Sequence, residues 1–219
     1  MDRNISIAID GPAGSGKSTI SKSISEKLSI EYIDTGAMYR AFTLKVLNNN
    51  IEFDNVEKIT LELENTNIDF KDNHIYLDGT IVDKQIRENI INQNVSYVAR
   101  IKEVRHGMVS LQRKIANNKS VVMDGRDIGT VILPNADFKF FIIADIDERA
   151  KRRYKDLIAE GNTKITLEQV KKELKIRDEI DSTRETAPLI KAKDAIEIDT
   201  TDKNIEESVN TILEIIQGR

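Results

Sequence analysis

Apolar and polar residues alternate through Ile5-Ser6-Ile7-Ala8-Ile9-Asp10, a pattern that predicts a buried strand. From residue 19 to 28 the period changes, and Ile20, Ile24 and Leu28 recur at helical spacing. Residues 30–33 predict a second strand, ending at Asp34-Thr35-Gly36. A helix over 37–47 follows, with Asn48-Asn49-Asn50 as its stop. The character then changes. Ile68-Asp69-Phe70-Lys71 and His74-Ile75-Tyr76-Leu77 flank Asp72-Asn73, and Asp78-Gly79 precedes Thr80-Ile81-Val82. Residues 51–82 therefore read as small antiparallel hairpins inserted into a different architecture.

Residues 87–116 form a long helical region whose pattern allows a break near Arg100. Ile101, Val104, Met108, Leu111 and Ile115 make an apolar stripe in its second half. Arg105 lies off that stripe and is expected to face solvent or a cleft. Residues 120–123 predict a third core strand ending at Asp124-Gly125-Arg126-Asp127, and 138–144 a fourth ending at Asp145. Residues 195–198 predict a fifth, and 204–216 a closing amphipathic helix. Strands alternating with helices imply an α/β fold with a five-stranded parallel sheet and right-handed crossovers. Between the fourth and fifth strands lies a helical excursion. Arg149, Arg152 and Arg153 share one face of its first helix, and Gly161-Asn162 breaks that helix. A second helix is expected from 167 to about 178. Arg177-Asp178-Glu179-Ile180-Asp181-Ser182-Thr183-Arg184 follows, and Ala187-Pro188-Leu189 ends the excursion.

The chemistry begins between the first strand and the first helix, at Gly11-Pro12-Ala13-Gly14-Ser15-Gly16-Lys17-Ser18-Thr19. Strand, glycine-rich loop and helix form the context in which G-x-x-x-x-G-K-[ST] holds phosphate. The backbone N–H groups turn inward, and the positive end of the helix adds to the attraction. Lys17 brings a charge to the outer phosphates, and Ser18 can reach a magnesium ion. Tyr39 and Arg40 lie near the end of the second strand, where open α/β sheets bind ligands. The arginine-rich excursion suits bidentate contacts to phosphate.

Composition narrows the partners. The chain has 219 residues, a net charge of -4 and no cysteine. Disulfides, thiol catalysis and cysteine–zinc sites are excluded, and a reducing, cytoplasmic setting is expected. The balance of 33 basic and 37 acidic residues argues against a general nucleic-acid binder. His74 and His106 lack any ligand pattern. The longest apolar run, around Phe140-Phe141-Ile142-Ile143-Ala144, is too short to span a membrane. Met1-Asp2-Arg3-Asn4 leads straight into the first strand, so no leader is expected there.

Donor cradle, magnesium-reaching hydroxyl, gathered arginines and two lid-like insertions are the parts of a phosphoryl-transfer enzyme. A GTPase would need an Asn-Lys-x-Asp motif, and Asn118-Lys119-Ser120-Val121 fails at the aspartate. A motor ATPase or nucleotide switch could use Asp124 beside its magnesium, but has no need of two lids. A gluconate- or shikimate-type small-molecule kinase remains open at this level.

The motifs GPAGSGKST, DTGAMYR (34–40), DGRDIGT (124–130) and RDEIDSTRETAPL (177–189) together resemble the bacterial cytidylate kinases. The resemblance covers nearly the whole chain. It implies a P-loop nucleoside monophosphate kinase that transfers the γ-phosphoryl group of ATP, with Mg2+, to CMP or dCMP. It implies a core (1–50, 117–148 and 190–219), an acceptor-binding insertion (51–116) and an arginine lid (149–189). Gly11, Pro12, Ala13, Gly14, Ser15, Gly16, Lys17, Ser18 and Thr19 would bind ATP, with Ser18 toward the metal. Thr35, Tyr39, Arg40, Gly125 and Arg126 would bind the acceptor nucleotide. Ser96, Arg105 and Asp127 would read cytosine, and Asp181 and Arg184 would reach the ribose and phosphate. Lys17, Arg126, Arg177 and Arg184 would act in transfer. Ile180 stands where some relatives carry an arginine. A monomer is expected, with nucleotides as its only partners.

Overall fold

The computed structural model describes residues 4–71 and 74–218. The strand β1 (Ser6–Asp10) is followed by α1 (Lys17–Leu28), β2 (Glu31–Asp34) and α2 (Thr35–Asn48). Next come α3 (Val56–Glu64), β3 (Ile68–Lys71), β4 (His74–Leu77), β5 (Thr80–Ile81), α4 (Asn89–Ala99) and α5 (Lys102–Ala116). The chain ends with β6 (Val121–Gly125), β7 (Phe138–Ile143), α6 (Ile146–Ala159), α7 (Leu167–Thr183), β8 (Ile196–Asp199) and α8 (Ile205–Gln217).

Five strands pair in parallel in the order β2-β6-β1-β7-β8. The central strands are buried on both faces, as parallel strands covered by helices must be. One apolar cluster joins Ile7, Ile9, Ile20 and Ile24 to Phe140, Val209 and Ile212. Ala8, Ile33, Met123 and Ile128 form another. From β1 the chain first adds β2 and β6 on one side, then β7 and β8 on the other. That reversal opens a crevice at the carboxyl ends, where the register sets Asp10 beside Gly125 and Asp34 beside Asp124.

The insertion carries its own antiparallel sheet, β3-β4-β5. The turn expected at Asp72-Asn73 falls outside the described residues, as do Met1, Asp2, Arg3 and Arg219. The hairpin reading of 51–82 missed α3. Its sequence signal is modest: Asn55 accepts from the Lys58 N–H as a cap, and only Ile59 is fully buried. The helical region divides where Arg100 and Ile101 leave the helix, so α4 and α5 are separate. The second helix of the excursion runs on to Thr183, past the expected end at 178. The charged stretch from Arg177 is therefore helical, with Arg177 and Asp181 one turn apart. A capping box of Thr166 and Gln169 starts that helix. Among the described residues no helix is long and apolar enough to cross a membrane.

Candidate active site

A cleft of about 700 Å³ opens over the carboxyl ends of β1, β2 and β6. Ala13, Gly14, Gly16, Lys17, Ser18 and Thr19 line it, but Gly11, Pro12 and Ser15 do not. A Cβ on Gly11 would meet the Ile142 carbonyl at 2.1 Å, so only glycine lets the loop pass that close to β7. Lys17 is the first residue of α1 and mostly buried, not a free loop residue. Its Nζ donates to the Pro12 carbonyl at 3.0 Å. Burial, then the nearby Arg126, pull its pKa down to about 7.

Ser18 Oγ donates to Asp124 Oδ2 at 2.6 Å, and Tyr32 Oη donates to Oδ1 at 3.0 Å. Burial, then Asp34 across the register, push Asp124 up to about 6. Asp34 caps α2 through the Ala37 N–H and pairs with Arg40 at 2.8 Å. Burial works against its charge, but Arg40 and that N–H outweigh it and hold its pKa low. Thr35 Oγ1 donates to the Asp124 carbonyl at 2.7 Å. A Cβ on Gly125 would stand 2.6 Å from that hydroxyl, so the strand end accepts no side chain there.

At the other end of the cleft Arg105 is 1% exposed. The expectation that it lay toward solvent or a cleft resolves to the cleft. Its Nη2 donates to Asp127 Oδ2 at 2.5 Å, its Nη1 to the Ala99 carbonyl at 3.2 Å, and its guanidinium lies 5.4 Å from the centre of the Tyr39 ring. Asp181 ties three elements together: it accepts from Ser96 Oγ at 3.1 Å and Arg126 Nε at 2.8 Å, and Arg184 lies 3.8 Å away. Arg184 also lies 3.6 Å from Asp127, and its Nε donates to the Ala187 carbonyl. Arg184 thus belongs with the Arg105–Asp127 pair. A further bond, Gln93 Nε2 to Glu173 Oε1 at 2.7 Å, joins α4 to α7.

Basic side chains outnumber acidic ones around the cleft, although the chain is acidic overall. Several buried polar atoms there have no hydrogen-bond partner: Tyr39 Oη, Arg105 Nε, Arg153 Nη2, Arg177 Nε and Arg184 Nη2. Burial, then Arg126, lower the Arg177 pKa to about 10. Buried donors without acceptors are costly, and together they describe a receptor for an anion. Arg149 differs from the rest of its cluster. It donates to the carbonyls of Ala13 and Ala144 and pairs with Asp178 at 2.6 Å, so it braces the loop against α7 and does not line the cleft.

The cytidylate kinase family model matches residues 7–218. The chain belongs to the cytidylate kinase family. The cytidylate kinase of Clostridioides difficile (strain 630) is 55% identical over 211 residues, covering 96% of this chain and 97% of that protein. The cytidylate kinase of Fusobacterium nucleatum subsp. nucleatum is 54% identical over 214 residues, covering 98% of each. A crystal structure of an uncharacterized protein from Eubacterium ventriosum aligns with a TM-score of 0.54 at 17% identity, covering 99% of this chain and 100% of that one. That likeness concerns the fold alone.

For a cytidylate kinase, the cleft contains residues that sequence reading passed over: Tyr32, Asn92 and the apolar Phe70, Ile75, Ile86 and Val95. Arg152 and Arg153, expected on an arginine face suited to phosphate, line it as well. Asn92 and the apolar residues come from the insertion, where no motif marks them. Arg153 was legible as part of an arginine face. Tyr32 had no signal, because its partner Asp124 lies 92 residues away.

Proposed function

We propose that this chain phosphorylates CMP and dCMP with ATP, giving CDP or dCDP. The observation that carries this is the joining, in one cleft, of a phosphate loop ending in Lys17 to a buried Arg105–Asp127 pair. The loop N–H groups and Lys17 hold the donor phosphates. Arg126 and Arg177 lie close enough to Lys17 to lower its pKa, so three cations converge where the moving phosphoryl group would sit. The bond from the γ-phosphorus to the β,γ-bridging oxygen breaks, and one to an oxygen of the acceptor phosphate forms. That oxygen is already anionic, so positioning and charge stabilisation suffice and no general base is needed.

A magnesium ion fits the donor end. Asp124 is a buried carboxylate held by two hydroxyls, and Ser18 is one of them. Among the described residues no group of three or more His, Cys, Asp or Glu could hold a metal ion, so phosphates and water would have to supply its other ligands. Ser18 and Asp124 would hold it, and it would neutralise developing phosphate charge. At the acceptor end Arg40, Arg126 and Arg184 face phosphate and ribose, while Ser96, Arg105 and Asp127 face cytosine. Cytosine presents an amino donor and two ring acceptors, which a carboxylate and an arginine complement.

The proposal takes core, insertion and lid as the three parts of a monomer. One apolar cluster joins the insertion to α2 of the core, and another joins α6 to α7 and reaches Ala13 of the phosphate loop. The lid's first helix begins at Ile146, ahead of the boundary drawn at 149. The deciding measurement is ADP formation with ATP, Mg2+ and a panel of nucleoside monophosphates, with shikimate and gluconate as further acceptors. CMP and dCMP give the highest rates, and hydrolysis without acceptor is slow. ADP release indifferent to added CMP contradicts the proposal. Lid movement is read by amide hydrogen exchange. Residues 149–189 exchange faster than the sheet in the free enzyme and slow when both nucleotides bind. Equal protection in the two states argues against a closing lid.

A further inference from the structure

Asp10 ends β1, directly before the phosphate loop, and is 4% exposed. Its two carboxylate oxygens accept from backbone N–H groups 118 and 119 residues away: Oδ1 from Ile128 and Oδ2 from Gly129, both at 2.8 Å. Those groups open a single wide helical turn, Ile128–Ile132, in which the N–H of Ile132 and of Leu133 reach back five residues. The first N–H groups of any such turn lack internal partners and need a cap. By sequence the cap should be Asp127, an aspartate at the preceding position. It is not: the Asp127 side chain makes no cap bond and turns to Arg105 instead.

We infer that Asp10 is a positioning residue for base recognition: by capping the 128–132 turn in place of Asp127, it leaves the Asp127 carboxylate available to Arg105 and the pyrimidine. The inference deepens the CMP kinase reading and rests on it. A carboxylate that is only 4% exposed costs free energy unless its bonds are satisfied. Burial lifts the Asp10 pKa to about 7 even with both N–H bonds in place. Arg126 and Asp127 are the charged neighbours acting on it, and the stem of Lys139, whose ammonium is bonded to Asp194, passes Gly129 nearby. The fold keeps a costly group at a position where the turn's own aspartate could have served. That choice has a purpose if Asp127 is needed elsewhere.

Asp10→Asn tests it. An amide can accept one of the two N–H groups but sets its own N–H against the other. The turn then competes for the Asp127 carboxylate. KM for CMP rises about tenfold or more, the loss expected for one buried charged hydrogen bond. KM for ATP stays within about twofold, and the preference for CMP over UMP shrinks. A merely structural defect lowers the active fraction and thus kcat, and leaves both KM values alone. The double variant with Asp127→Ala loses no further CMP preference than Asp127→Ala alone, since Asp10 acts through Asp127. Should Asp10→Asn not fold, Asp10→Ser carries the test. A serine hydroxyl accepts from at most one of the two N–H groups and leaves the other without its cap. The same split follows, with KM for CMP up about threefold. Equal rises in both KM values, or none in the variant that folds, overturn the inference. A native enzyme inactive on CMP overturns the function reading itself.

Discussion

Lys17→Ala lowers kcat for CMP phosphorylation by about 10²–10³-fold, the range found when one preorganised donor is removed from a transition state. Two of the cleft's other cations are already committed elsewhere. Arg126 is bonded to Asp181 and the Gly125 carbonyl, and Arg152 to Glu148 and the Thr200 carbonyl. The fold should not suffer. Its unfolded-state pKa is about 10.4 and its folded pKa about 7. Between these values the unfolded chain binds more protons, so stability rises with pH through that interval. Below about pH 7 the charged lysine opposes folding in full. Its removal at neutral pH therefore relieves burial and repulsion from Arg126, against some lost packing of its stem. The expected result is a native circular dichroism spectrum and an undiminished Tm beside a collapsed kcat. A near-native kcat in the folded variant removes Lys17 from the transfer step. A large fall in Tm would make Lys17 a structural residue first.

The sheet and the phosphate loop were legible because their signals are local. Alternation in 5–10, helical spacing from Ile20 to Leu28 and the glycines between them lie within a single stretch of chain. All five core strands fall within a residue or two of where the pattern puts them. The strand order was not legible, since pairing β1 with β6 and β7 is decided by contacts across more than a hundred residues. The helix α3 was missed because its short amphipathic stretch lies among turn-forming residues. Burial was left undecided where charge hides it. The helix pattern counts an arginine as polar and put Arg105 toward solvent or a cleft; the cleft it is, where Asp127, Ala99 and Tyr39 together make its burial tolerable. The same holds for Arg149, which three acceptors turn from a presumed lid cation into a brace. Most of the residues that motif resemblance named line the cleft. It could not show that Arg184 sits with the Arg105–Asp127 pair, or that Asp10 caps a turn at Ile128.

Asp127→Ala narrows the preference for CMP over UMP, and the argument rests on the geometry of one buried pair. Uracil reverses cytosine at two adjacent positions: an oxygen replaces the amino group, and the neighbouring ring nitrogen carries a hydrogen. Against uracil the carboxylate of Asp127 meets an oxygen, and Arg105 meets a donor. Each mispaired buried group costs roughly 1–3 kcal/mol. Two of them predict discrimination of about a hundredfold or more in kcat/KM. Alanine removes the repulsion against uracil together with the attraction for cytosine, so activity on CMP falls far more than activity on UMP. Some loss with both nucleotides follows as well. Arg105 is 1% exposed and loses its closest carboxylate, and a buried pair broken on one side costs about 3–5 kcal/mol of stability. Asp127→Asn separates the two effects. Its amide oxygen can still accept from Arg105, while its amide N–H can donate to the uracil oxygen and clashes with the cytosine amino group. The asparagine variant therefore stays closer to native Tm than alanine and shifts preference further toward UMP. The measurement is kcat/KM for CMP and UMP in all three proteins, with Tm recorded for each. If CMP and UMP fall by one common factor in both variants, Asp127 serves only to hold Arg105, and the cytosine-reading role is wrong.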